Sequence, residues 1–169
     1  MKFMSVDPGT FKTGLARWED SRLIDHQLVE CPARMAPEER IGFIKGVVLE
    51  QGRQAGIDLL VSEQVVHIEG RPNEALALLY KGLRRMAKQQ RWKWDFYHPS
   101  RVKKAVHVSG YGPRQTKEMM RMGVCFFYGM ELRYLDQNEI DAIAVGLAHL
   151  GKLHEANTIS QQKIETRVR

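Results

Sequence analysis

The stretch Lys2-Phe3-Met4-Ser5-Val6-Asp7-Pro8-Gly9-Thr10 decides the fold. A short apolar run ends on a carboxylate. Pro8-Gly9 then imposes a turn, because proline presets φ and glycine accepts positive φ. The chain resumes at Gly14-Leu15-Ala16-Arg17-Trp18, a second strand folding back on the first. Asp7 is thus expected at the end of a buried strand, a rigid place from which to aim a metal ligand or an acid.

Around this stretch, 169 residues with 43% hydrophobic and 27% charged side chains fit one soluble domain with a substantial core. No apolar run approaches the ~18 residues of a membrane span, and the expected location is cytoplasmic. Cys31 and Cys125 match no zinc or redox spacing. The net charge of +6 is unevenly spread. Residues 1–70 carry 8 Lys/Arg against 11 Asp/Glu, and residues 71–169 carry 18 against 9. A basic surface confined to one part of a domain points to a polyanion partner.

Residues 2–7, 14–19 and 22–31 read as three strands. Pro37, Glu38 and Glu39 open a helix over 37–54, with Ile41, Ile44, Val48 and Leu49 on its apolar face and Gly56 as its stop. Ile57-Asp58-Leu59-Leu60-Val61-Ser62-Glu63 has the continuous apolar pattern of a central strand and also ends on a carboxylate. If the strands of Asp7 and Glu63 are parallel neighbours, both acids emerge at one sheet edge, where open α/β sheets place ligands.

A second helix spans 72–90, a fifth strand 92–97, and a short helix starts at Pro99. Residues 81–104 hold nine Lys/Arg and one acid, Asp95, a density that solubility alone does not require. Ser109-Gly110-Tyr111-Gly112-Pro113 lacks the Lys-Ser/Thr of a P-loop and the strand–helix setting of a dinucleotide site. The helix over 114–128 is expected to be largely buried through Met119, Met120, Met122, Val124, Phe126 and Phe127. The last helix spans 136–151, with Asp141 near its start and Asn138 one turn earlier on the same face. Residues 1–155 form the expected domain, and 156–169 a polar, flexible tail.

Crowded carboxylates repel one another and resist ionisation, and a hard divalent cation removes that conflict. Two such ions can activate a water and stabilise the leaving oxygen at a phosphodiester. Asp7, Glu63 and Asp141 beside a basic surface therefore point to a nuclease.

At this point the residues resemble a known family. Asp7-Pro8-Gly9-Thr10 with Gly14, Glu63-Gln64-Val65, the Lys103 segment leading to Gly110, Gly112 and Lys117, and Asp141-Ala142-Ile143-Ala144 are similar to the RuvC-type Holliday-junction resolvases. The resemblance spans residues 3 to about 150, and its specificity lies in the joint order and spacing. It implies an RNase H-like α/β fold with a five-stranded mixed sheet flanked by helices. It also implies a homodimeric crossover junction endodeoxyribonuclease that nicks two opposed strands of a four-way junction, with two Mg²⁺ or Mn²⁺ ions per active site and no nucleotide cofactor.

By position, the resemblance makes Asp7, Glu63 and Asp141 metal ligands. Asn138 stands where the family has a fourth acid or a His; its amide oxygen can ligate Mg²⁺ but adds no charge. Asp136 and Glu139 are nearby substitutes that could complete the metal site, but their spacing also fits an N-cap and its N3 partner, which is the preferred reading. Lys103 and Lys117 match basic residues near the scissile phosphate. Where the family often has an aromatic after Glu-Gln-Val, this chain has Val66 and then His67. His67, Arg84, Arg85, Lys88, Lys104 and Arg114 are the candidate DNA contacts, with part of the 72–90 helix an alternative dimer surface. Alternative functions are a nuclease for flaps or RNA–DNA hybrids, a catalytically weak branched-DNA-binding module, and an actin-like ATPase. The last needs a second such domain around its nucleotide.

Overall fold

The computed structural model describes residues 1–64, 74–106 and 113–165, with backbone only for 113–115, 130 and 152–165. Strands β1 (Lys2–Asp7), β2 (Lys12–Glu19) and β3 (Arg22–Glu30) form an antiparallel meander. Helix α1 (Pro37–Ala55) leads to β4 (Leu59–Glu63), and α2 (Glu74–Gln89) leads to β5 (Lys93–Tyr97). Both later strands run parallel to β1, giving a sheet in the order β3-β2-β1-β4-β5. Helices α3 (Pro99–Ala105), α4 (Pro113–Tyr128) and α5 (Gln137–Glu165) complete the domain, with a 3-10 turn over Met130–Tyr134 before α5. Among the described residues no helix is long and apolar enough to cross a membrane.

The two-residue period of a strand sorts side chains onto two faces. Phe3 of β1, Leu59 and Val61 of β4, and Ala16 and Trp18 of β2 pack against α3, α4 and α5. Met4, Val6, Leu15 and Leu60 pack against α1 and α2. The same alternation carries Ser5, Asp7, Gly14 and Glu63 onto the α5 side. Asp7 and Glu63 each follow the last paired residues, Val6 and Ser62, of the parallel β1–β4 ladder. The two carboxylates therefore leave adjoining strand ends toward the same helix, as expected.

Ser5 and Trp18 tie α5 to the sheet. The indole Nε1 of Trp18 donates to Ser5 Oγ at 2.8 Å, and that hydroxyl donates to the carbonyl of Ala142 at 2.7 Å. The Phe3 ring stacks on Trp18 with centroids 5.5 Å apart. Gly146 of α5 sits against the indole, where an added Cβ would overlap it.

Two local expectations change. α4 buries Met120, Val124 and Cys125 but leaves Met122, Phe126 and Phe127 exposed, Phe126 at 83%. One stripe of a helix meets the core, and those three side chains lie off it. α5 continues to Glu165, so residues 156–165 are helical. No Gly or Pro follows Gly151, and propagation adds a hydrogen bond per residue without needing an apolar stripe. Residues 166–169 lie outside the described residues.

Candidate active site

The turn after β1 is held by Thr13, whose hydroxyl donates to the Gly9 carbonyl at 2.8 Å and accepts from the Gly9 N–H at 3.3 Å. Gly9 is required here for space, not for positive φ: an added Cβ would overlap the Lys12 carbonyl oxygen. Gly14 has the matching role toward α5. An added Cβ there would overlap the backbone carbonyl of Asn138. The first turn of α5 thus rests directly on β2, which brings Asn138 and Asp141 to Asp7.

Asp136 and Glu139 cap that helix. Asp136 Oδ1 accepts from the Asn138 N–H at 3.0 Å, and Glu139 Oε2 accepts from the Asp136 N–H at 3.2 Å. Asp136 is also paired with Lys12 at 3.1 Å, and Glu139 with His26 at 2.8 Å. The Asn138 backbone bond, with Lys12, holds the Asp136 carboxyl below its usual range.

Inside this frame, two neighbouring amides each meet one carboxylate. Asn138 Nδ2 donates to Asp7 Oδ2 at 3.0 Å and to the Lys12 carbonyl at 3.3 Å. Both partners are acceptors, so the amide nitrogen and not the oxygen faces Asp7. Gln137 Nε2 donates to Asp141 Oδ1 at 2.8 Å. A cleft of about 330 Å³ opens beside them, lined by Glu63, Lys103, Thr116, Lys117, Met120, Gln137 and Asp141.

The acids sense one another. Burial, then Asp141 and Glu63, push the Asp7 carboxyl up to about 7 against the Asn138 hydrogen bond. Burial and Asp141 push Glu63 up to about 7, opposed by Lys103. Burial raises Asp141 too, opposed first by Gln137 and then by Lys117 and Arg121.

Among the described residues no three His, Cys, Asp or Glu side chains form a ready-made metal cage. The donor chemistry nevertheless fits a hard divalent cation. Asp141 impedes the ionisation of both Asp7 and Glu63, and the Asn138 and Gln137 bonds engage only one oxygen of Asp7 and one of Asp141. Mg²⁺ retains several waters, so it needs few protein oxygens and no tight cage.

Of the residues singled out from sequence, Asp7, Glu63, Asn138, Asp141, Lys103 and Lys117 are brought together. Lys104 is exposed on α3 beside Lys103. Arg84, Arg85 and Lys88 are exposed on α2, in the helix layer on the other sheet face. α2 runs back from the end of β4 to the start of β5, where the Trp92 N–H donates to the Ala87 carbonyl. These three therefore lie toward the end of α2 away from Glu63 and do not join the cleft. His67 and the Arg114 side chain lie outside the described residues. Sequence reasoning missed Gln137, Arg121, Thr116 and Lys12. Gln137 had a signal, since it precedes Asp141 by four residues and shares its helix face.

No family model matches the sequence, and no curated protein is found to be similar to it. Solved structures do match. RuvC of Thermus thermophilus superposes with a TM-score of 0.74 at 21% identity, over 92% of this chain and 97% of that one. The same organism's RuvC in complex with Holliday junction substrate gives 0.73 at 22%, over 88% and 92%. The yeast mitochondrial Holliday junction resolvase Ydc2 gives 0.53 at 10%, over 95% and 83%. Among the described residues, the five-stranded mixed sheet with its five helices thus has the RNase H-like α/β fold of these RuvC structures.

Proposed function

We propose that this protein is a divalent-metal-dependent endonuclease that resolves four-way DNA junctions by paired nicking. The observation that carries this reading is the convergence of Asp7, Glu63 and Asp141 at two adjoining strand ends and one helix start, facing Lys103 and Lys117. The shared fold with a RuvC bound to Holliday junction substrate supports branched DNA as the substrate class.

Asp7, Glu63 and Asp141 would hold Mg²⁺ or Mn²⁺, as two ions per site when a substrate phosphate contributes oxygens. Such ions supply a nucleophile at neutral pH and positive charge against the leaving oxygen. The chain's own residues do the rest. Asn138 fixes the rotamer of Asp7 and favours its ionised form. Lys103 and Lys117, beside Glu63 and Asp141, meet the charge that builds on the phosphate. Symmetric cutting of a junction needs two such sites, so the working unit in this reading is a homodimer acting in the cytoplasm.

The test is cleavage of a four-way junction, a flap and an RNA–DNA hybrid side by side, with and without Mg²⁺. Wild type is expected to nick the junction in Mg²⁺ and not in EDTA, and Asp7→Asn to bind it without nicking. Cleavage by Asp7→Asn, or cleavage in EDTA, overturns the proposal; preference for the flap or hybrid replaces the substrate and retains the chemistry.

A further inference from the structure

Arg121 of α4 does not line the cleft, yet its guanidinium is committed to the approach to α5. Nη1 donates to the carbonyls of Arg133 at 2.8 Å and Leu135 at 2.7 Å, and Nη2 donates to Gln137 Oε1 at 3.3 Å. The other end of the Gln137 amide donates to Asp141 Oδ1 at 2.8 Å. A guanidinium can only donate and an ionised carboxylate can only accept, so the amide between them has one allowed orientation.

We infer, resting on the nuclease reading above, that Gln137 is a positioning residue that aims Asp141 at a divalent cation, and that Arg121 acts through it. Three acceptors lock Arg121, Arg121 locks the amide, and the amide fixes one oxygen of Asp141. Oδ2 is left to turn toward an ion. The intervening amide matters electrostatically. An arginine paired directly with Asp141 would put a full positive charge where a cation must bind. A neutral amide transmits the orientation and keeps that charge one side chain away. The arrangement also couples the ligand to the segment entering α5, because the same guanidinium holds the carbonyls of Arg133 and Leu135. Gln137 and Asp141 are four apart on one helix, so their bond needs no tertiary adjustment once α5 forms.

The test is Mn²⁺ binding to the full chain without DNA, followed by electron paramagnetic resonance, for wild type, Gln137→Met, Arg121→Met and the double variant. Gln137→Met preserves side-chain volume and removes both hydrogen bonds. It is expected to weaken Mn²⁺ binding roughly tenfold with an unchanged melting temperature. The double variant is expected to bind no more weakly than Gln137→Met, since residues acting in series are not additive. In junction cleavage, the Mg²⁺ concentration for half-maximal rate should rise with kcat at saturating metal held within about twofold. Mn²⁺ binding by Gln137→Met at wild-type affinity, or losses that simply add in the double variant, overturns the inference alone. Wild type that binds no Mn²⁺ overturns the nuclease reading and the inference with it. If Arg121→Met lowers the melting temperature, Gln137→Met by itself decides.

Discussion

Asn138 meets Asp7 through its amide nitrogen, 3.0 Å from Oδ2, and the same nitrogen reaches the Lys12 carbonyl. Its oxygen is therefore not the atom offered toward Asp7. An Asp at this position would exchange a donor for an anion. Asn138→Asp is expected to lower the Mg²⁺ concentration needed for half-maximal junction cleavage, because the cation gains a charged ligand. Asn138→Ala is expected to raise it, because Asp7 loses the bond that favours its ionised form. Titrating Mg²⁺ in a cleavage assay with the three proteins checks both, and an inactive Asn138→Asp contradicts the placement of this residue beside an ion.

The raised carboxyls make stability depend on pH and metal together. Asp7 and Glu63 keep their protons up to about 7 in the folded chain, against 3.8 and 4.5 as ordinary values. Folding therefore takes up protons. The stability these groups contribute is fully present below about 4 and is lost as pH rises through about 7. Asp7→Asn, which cannot ionise, should melt several degrees above wild type at pH 8 in EDTA and close to it at pH 4. Mn²⁺ should raise the wild-type melting temperature more at pH 8 than at pH 5. A wild type more stable than Asp7→Asn at pH 8 without metal would contradict the shift.

Gly14 is a contact position between β2 and the backbone of α5. Gly14→Ala must displace that backbone, since no side chain there can yield instead. The expected loss is about 1–3 kcal/mol in urea unfolding, the usual range for overpacking. Cleavage should suffer more, by roughly 100-fold in protein that remains folded, because misplacement moves Asp141 and both amides at once.

Charge at the cleft and charge on α2 should separate kinetically. Lys103→Ala and Lys117→Ala are each expected to lower kcat by about 100-fold, as for loss of one group that stabilises developing charge. Arg84→Ala and Arg85→Ala should leave kcat unchanged. If α2 touches the DNA backbone, each of those two reduces the salt slope of binding by about one. Single-turnover cleavage and binding at several salt concentrations distinguish the two sets.

Asp7 and Glu63 are legible in the sequence because each ends an apolar run, and strand periodicity fixes the face it leaves from. Asp136 and Glu139 are legible as a helix cap from their spacing. Gln137 is half legible: its four-residue offset from Asp141 is local, but its need for orientation depends on Arg121. The bonds of Arg121 to the carbonyls of Arg133 and Leu135 arise only when the chain doubles back between α4 and α5. The basic residues of α2 show the converse. Their density is plain in the sequence, but their distance from the cleft follows from the direction in which α2 crosses the sheet. The exposed Phe126 and Phe127 show that apolar content does not reveal how wide a helix face the core covers.

Gly14 beneath Asn138 and Gly146 beneath Trp18 form two reciprocal seats between β2 and α5. Eight helical residues separate one pair, about 12 Å of rise, and four strand residues the other, about 13 Å. The matched spans give the helix two close seats on its strand, and both oppose sliding along it. Changes away from the two seats should therefore disturb the spacing of Asp141 from Asp7 less than changes at Gly14 or Gly146.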